Sequence, residues 1–487
     1  MSRFAFGALA LGLAALAPAA DPAPSRPAPP ALEFAVLGGD AVARLEVRAE
    51  LDGAPVAALW AESFAKLFAY FDRNGDGALD ATEVARLPAP RALRHALGSG
   101  FTPPVGTAPA LADLDADKNG KVSPAELAAY YRANGIGGIQ VGTGRLPASA
   151  ALGAALLKHL DTNDDGRVSE KEWAAPDVLK KLDKNDDELI GAGELVPNAV
   201  YPGASGSLRL APPTASDAPS EAAAQLPVVL LPTDAKDTAW AAELARRNPK
   251  LKDTDFATWR AKEPAARWAA KLTATGAAER FAYAGGTVRV EGWCAAGRVP
   301  EAVASARKQF TGQPDAPEPK GRGRGSATLD WLTPVADRDG DGALDSKELD
   351  AWLDLQAQIA RGQLFLTVLD GGGLFELLDT NHDGALSVRE LRAAWARLRA
   401  AGCTTDGAFD AKKLPRTVLV VASWGYPKSL SADARRGPAW FRAMDRNGDG
   451  DVSRREFTGP AEVFDKLDAD KDGLLSAEEA EKAGPQK

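Results

Sequence analysis

Eight stretches of this chain place carboxylates and amides at alternate positions in a twelve-residue register that closes on glutamate. Side-chain oxygens stand at positions 1, 3, 5, 9 and 12, and position 7 can add its main-chain carbonyl. The first run supplies Asp72, Asn74, Asp76, Ala78, Asp80 and Glu83. The second supplies Asp115, Asp117, Asn119, Lys121, Ser123 and Glu126, and the third Asp161, Asn163, Asp165, Arg167, Ser169 and Glu172. The fourth keeps Asp183, Asn185, Asp187, Leu189 and Glu194. The fifth has Asp337, Asp339, Asp341, Ala343, Asp345 and Glu348, and the sixth Asp379, Asn381, Asp383, Ala385, Ser387 and Glu390. The seventh has Asp445, Asn447, Asp449, Asp451, Ser453 and Glu456, and the eighth Asp468, Asp470, Asp472, Leu474, Ser476 and Glu479. An all-oxygen set at this spacing, with glycine at position 6 for a sharp turn, suits a hard cation that takes six to eight oxygens; calcium is the expected ion.

The fourth run departs from the others. Glu188 stands where the rest have glycine, and Gly191 leaves position 9 without a side chain. A non-glycine residue in a left-handed conformation costs roughly 1–2 kcal/mol, so this site is expected to be weak or vacant. A single Asp/Asn/Gly run could be an ordinary turn; seven complete matches in one chain could not.

The flanks agree. Position 8 is apolar in all eight runs: Leu79, Val122, Val168, Ile190, Leu344, Leu386, Val452 and Leu475. Apolar residues just before each run and one helical turn earlier, such as Phe68 and Phe71 or Phe464 and Leu467, fall on one helix face. Each run is therefore expected to lie between two short amphipathic helices. These residues resemble the loops of the EF-hand superfamily, in which position 8 forms a β-bridge between paired loops. The chain as a whole is similar to exported multi-EF-hand proteins of bacteria, and runs 445–456 and 468–479 are much like their C-terminal close pair. The resemblance implies calcium ligation at the positions named and says little about biological role.

The opening aspartates are spaced by 43, 46 and 22 residues in one half and by 42, 66 and 23 in the other. This pattern, a wide pair followed by a close pair, reads as a duplicated module. Segments 45–51 and 287–294 alternate like strands before the first and fifth loops, the former turning at Asp52-Gly53 into a helix near Val56. Segments 136–141 and 417–421 read as further short strands. Pro176 and Gly459-Pro460 interrupt the close-pair connectors, so each close pair is expected to fold back on itself. The fold class expected is mainly α with short β segments (α+β), each half carrying two pairs of loops. The divisions are 31–200 and 336–487 for the loop modules, 201–235 as linker, and 236–335 as a helix and strand segment without loops. Within the last, 237–275 reads as helical and 314–326 as a linker.

Composition narrows the function classes. The formal charge of −9 argues against nucleic acid and suits a cation-binding chain. Arg3, the apolar run from Phe4 to Leu16 and Ala17-Pro18-Ala19 read as a signal peptide over 1–19, followed by a flexible lead-in over 20–30. The expected location is exported: periplasmic, cell-surface or secreted. No later transmembrane span is expected. Cys294 and Cys403 could form a disulfide or remain two buried thiols. Three histidines, no HExxH and no CxxC give no catalytic site, and His382, at position 4 of the sixth loop, is expected to face solvent. Methionine is confined to Met1 and Met444, which speaks against a Met-rich sensor groove. The favoured role is a calcium-stabilised scaffold or binding module at the cell envelope, with a protein partner unspecified. A calcium buffer and an enzyme with calcium-supported structure are the alternatives.

Overall fold

The computed structural model describes residues 32–38, 41–90, 93, 108–134, 136–146, 149–173, 181–199, 201, 209–210, 226–231, 239–273, 277–298, 333–342, 344–371, 373–425, 427, 430 and 436–483. The signal-like segment, the lead-in, Pro176, the 314–326 linker, His95 and Ala343 lie outside the described residues.

In chain order the strands begin with β1 (Leu32–Gly38), β2 (Ala41–Leu51), β3 (Ala54–Pro55), β4 (Ile139–Arg145) and β5 (Leu189–Gly191). Next come β6 (Arg209–Leu210), β7 (Val228–Leu231), β8 (Ala266–Leu272), β9 (Ala277–Gly285) and β10 (Val288–Ala295). The remainder are β11 (Leu364–Asp370), β12 (Ala385–Ser387), β13 (Thr404–Thr405), β14 (Ala408–Phe409), β15 (Arg416–Ser423), β16 (Asp451–Ser453) and β17 (Leu474–Ser476).

Two of the sheets are large. One has five strands in the order β3-β2-β1-β7, with β8 pairing on β2; the other has six in the order β6-β4-β11-β15-β10-β9. The expectation of a mainly α protein with short β segments is thereby overturned, and the architecture is mixed α/β. The alternating segments read from the sequence are real strands, but they assemble across the chain rather than standing as short accessories. The β2–β3 hairpin turns at Asp52 and Gly53 with φ of 50° and 79°, a conformation glycine adopts freely and aspartate tolerates. The helix Val56–Phe71 follows at once, as the sequence predicts.

The two large sheets share one apolar core. Val36, Val47 and Trp268 from the first meet Val290, Leu366 and Val420 from the second. Apolar burial at about 25 cal/mol per Å² makes this layer the main reason the sheets stay together. Segment 266–272 is a strand rather than part of a helix. Its Trp268, Ala270 and Leu272 are buried at a period of two, and it runs parallel to β2. Pro264 ends the helical stretch before it. Residues 201–235, expected as a linker, contribute β6 and β7 to the sheets.

The second sheet joins the two halves. β4 runs parallel to β11 over Ile139–Arg145 and Leu364–Asp370, and β10 runs parallel to β15. Helices and loops pack in three groups, two of which cross the half boundary. Residues of loops 1, 2 and 5 share one core through Leu79, Val122, Ala336 and Trp352. Loops 3, 4 and 6 share another through Val168, Ile190, Phe375 and Leu386. Loops 7 and 8 have their own small core of Phe441, Val452, Phe464, Leu475, Ala477 and Ala480. The expectation of two pairs in each half gives way to groups of three, three and two. Cys294 and Cys403 are buried in different cores and form no disulfide with each other.

Candidate metal centre

One hydrogen-bond frame recurs in all eight loops. The position 1 carboxylate accepts from the main-chain N–H of position 6, as Asp72 does from Gly77 at 3.0 Å, Asp115 from Gly120 at 2.8 Å and Asp468 from Gly473 at 3.0 Å. The closing glutamate accepts from the N–H groups of positions 2 and 9. Glu83 takes Arg73 at 2.7 Å and Asp80 at 2.9 Å; Glu456 takes Arg446 and Ser453, each at 2.9 Å. The same glutamate is residue N3 of the exit helix, where it completes a capping box with the position 9 side chain in loops 1, 2, 5, 6 and 8. The helix start thus orients the carboxylate that closes the site.

The donor set fits a hard cation. Carboxylate oxygens of Asp115, Asp117 and Glu126 lie within 4.8 Å of one another, as do those of Asp337, Asp339 and Glu348, and of Asp468, Asp470 and Glu479. All are oxygen donors, without thiolate or imidazole, which selects calcium over zinc or copper.

Loop 4 keeps the frame at a strained residue. Glu188 adopts φ +67°, left-handed like the position 6 glycines, which run from +77° to +91°. Its N–H still donates to Asp183 at 2.9 Å, and Gly191 donates to Glu194 at 2.8 Å. The departure read from the sequence is therefore a local conformational cost rather than a lost loop.

Pairing differs from loop to loop. Leu79 bridges Val122, so loops 1 and 2 pair. Ile190 pairs with Leu386 through β5 and β12, so loop 4 pairs with loop 6 from the other half. Val452 pairs with Leu475, so loops 7 and 8 pair. Loop 3 is bridged by the small β13–β14 hairpin instead, with Ser169 opposite Ala408 and Phe409 N–H donating to Val168 at 2.8 Å. The expected fold-back of loop 3 onto loop 4 is thus replaced by two separate partners. Loop 5 lies beside loop 1, where Arg86 donates to the Asp337 carbonyl at 3.1 Å.

Burial separates the sites further. Loops 2 and 3 are largely exposed, and Ser123 and Ser169 hold Glu126 and Glu172 down to about 2 by hydrogen bonding. Loop 6 is enclosed: Asp379 is fully buried and Glu390 is 4 % exposed. Burial pushes Asp379 well up, Asp383 to about 6, and Asp449 of loop 7 to about 8. Carboxylates in such surroundings are costly to ionise alone, and a bound dication offsets that cost.

His382 also corrects an expectation. Rather than facing solvent, it is 1 % exposed and stacks on Trp293 with ring centroids 4.5 Å apart. Its Nε2 lies 2.8 Å from Glu291 Oε2, and Glu291 is paired in turn with Arg289. Glu291 and Trp293 belong to β10, in the segment without loops, and were not read as part of any site. The only sequence signal was their shared parity on an alternating strand.

The EF-hand family model matches residues 64–88, 154–175, 335–353, 373–395, 439–458 and 461–479. The chain is an EF-hand protein. It binds calcium through multiple EF-hands, and loop 2, outside the matched spans, has the same frame and a convergent ligand set. No curated protein and no solved structure matches the chain. Among the described residues no helix is long and apolar enough to cross a membrane.

Proposed function

We propose that this EF-hand protein is exported and works as a calcium-stabilised scaffold or binding module at the cell envelope. Seven strong sites hold ions, and loop 4 is weaker. The observation that carries this reading is the enclosure of loop 6. Its carboxylates are buried between the second sheet and the helices Leu374–Leu378 and Val388–Ala400, so the ion there acts on the centre of the fold. Eight dications would shift the formal charge from −9 to about +7, a further electrostatic reason for the fold to depend on calcium. Export rests on the signal-like sequence over 1–19, and the absence of a catalytic role on the scarcity of histidine. Calcium buffering is the second reading, favoured by the exposed carboxylates of loops 2 and 3.

Calcium titration calorimetry with circular dichroism on the chain from Ala20 onward, after chelation, tests both. About seven ions bound with a large gain of structure supports the scaffold, at the roughly 10⁻⁴–10⁻³ M affinities of extracellular modules. Tight binding with little structural change favours the buffer, and no binding removes both readings.

A further inference from the structure

Loops 7 and 8 form a lobe with its own core, and the contacts that seat it on the body are polar and arginine-rich. From the exit helix of loop 6, Arg389 Nε donates to Asp451 Oδ2 at 2.7 Å. Its buried Nη2 makes no hydrogen bond and is held 3.6 Å from Asp472 Oδ2. Arg392 Nη1 donates to the Asp472 carbonyl at 2.6 Å. On the other side, Arg455 of loop 7 pairs with Asp186 of loop 4 at 2.8 and 2.5 Å and lies 3.7 Å from Glu188. Asn447 Nδ2 donates to the Asp187 carbonyl at 3.0 Å.

Three of these acceptors belong to ion-binding positions, Asp187 being position 5 of loop 4. Asp472 is the position 5 carboxylate of loop 8, and Asp451 is position 7 of loop 7. A guanidinium beside a ligand carboxylate opposes a cation bound by that carboxylate, and a dication in the loop weakens the hold of the arginine. Among these contacts the Arg455–Asp186 pair is exposed and contributes little. The Arg389–Asp451 pair, with a carboxylate only 8 % exposed, anchors the arginine, and the approach of its Nη2 to the ligand carboxylate of Asp472 carries the coupling to loop 8.

We propose that the lobe of loops 7 and 8 is clasped by Arg389 and Arg392 in a way that lowers the calcium affinity of loop 8, and that calcium entering loop 8 loosens the clasp. The two effects are one coupling free energy and are equal by linkage. The proposal rests on calcium binding by loops 7 and 8 and adds a sign to the interaction between lobe and body.

The test uses the full chain, with hydrogen exchange of segment 468–479 followed as buffered free calcium is raised. In the Arg389→Gln/Arg392→Gln chain the protection midpoint is expected at a free calcium at least about fivefold lower than in the unaltered chain. Arg392→Gln alone, an exposed position, shifts it less in the same direction. Arg399→Gln removes an equal charge from the exposed end of the same helix and leaves the midpoint in place. Raising the salt narrows the difference between unaltered and double-variant chains, because the coupling is screened. Protection of 364–370 reports that each variant is folded. An unchanged or higher midpoint in both clasp variants overturns the proposal. If segment 468–479 gains no protection in the unaltered chain, loop 8 is no calcium site and the proposal falls with it. Protection of the unaltered chain without a variant shift leaves the calcium reading standing and overturns the clasp alone.

Discussion

The two close loop pairs begin with nearly the same spacing, 22 residues between the first aspartates of loops 3 and 4 and 23 between those of loops 7 and 8. Loops 7 and 8 pair with each other through Val452 and Leu475. Loops 3 and 4 do not: Ile190 of loop 4 pairs with Leu386 of loop 6, and loop 3 rests on the β13–β14 hairpin. In these four loops an apolar position 8 accompanies a β-bridge partner without naming it. What differs is the setting. The helix Ser149–Leu160 that leads into loop 3 packs on Leu374–Leu378, the helix that leads into loop 6, and Gly153 admits Leu374 at that crossing. Loops from separate halves are thereby brought into one core. The C-terminal pair has no such neighbour within its core and closes on itself.

The contrast can be broken most directly at the buried site. Glu390→Gln removes the closing carboxylate of the enclosed loop 6 and should cost about 3–5 kcal/mol in calcium, as loss of one member of a buried charged network does. Glu479→Gln, the equivalent change in loop 8, should leave the global thermal midpoint nearly unchanged. Calorimetric melts in saturating calcium compare the two.

Next in size is the bridge residue itself. Leu386→Ala, at a fully buried position, should destabilise by about 2–5 kcal/mol and loosen both β5 and β12 in native-state hydrogen exchange. Leu475→Ala should loosen β16 and β17 while leaving β4 and β11 protected. Loss of protection throughout the chain in the second variant would show that the terminal lobe is not a separate cooperative unit.

A pH dependence sharpens the comparison between the two lead-in helices. Three residues before loop 6 stands Glu376, 1 % exposed, where burial raises its carboxyl to about 7; the matching residue before loop 7 is the exposed Arg442. Below pH 4.5 Glu376 is protonated folded and unfolded alike. Between pH 4.5 and 7 the unfolded chain releases the proton while the folded chain keeps it, so stability falls as pH rises and stays low above 7. Glu376→Gln should therefore stabilise by up to about 3 kcal/mol at pH 8 and hardly at all at pH 4, read from denaturant midpoints.

The smallest effect is expected in loop 4. Glu188→Gly relieves the left-handed residue by about 1 kcal/mol and should tighten that site about fivefold in calcium titration. No change would mean that the missing side chain at Gly191, rather than backbone strain, weakens the site.

The ligand frame was legible in the sequence because each loop is local: twelve consecutive residues contain the ligands, the turn and the cap of the next helix. The strands at 45–51 and 287–294 were legible by alternation, 136–141 as a short apolar run punctuated by glycine, 417–421 by its matching place in the second half, and the turn by Asp52-Gly53. Their partners were not, because β4 and β11 meet across more than 200 residues and alternation carries no address. The burial of His382 was hidden for the same reason, since Trp293 and Glu291 arrive from another part of the chain. Segment 266–272 looked helical because Ala, Lys and Leu favour helices, and its parallel pairing to β2 overrode that local preference.

The parallel contact of β4 with β11 also bears on how the chain reaches its fold. Synthesis delivers residue 145 long before residue 364, and until then β4 lacks its neighbour in the middle of a sheet. An N-terminal fragment ending between the halves would carry that exposed edge permanently. Contacts so distant in sequence make acquisition of the native state slow. The two-sheet body is therefore expected to become resistant to proteases late, in one step after β11 and β15 are available, rather than half by half as the repeats would suggest.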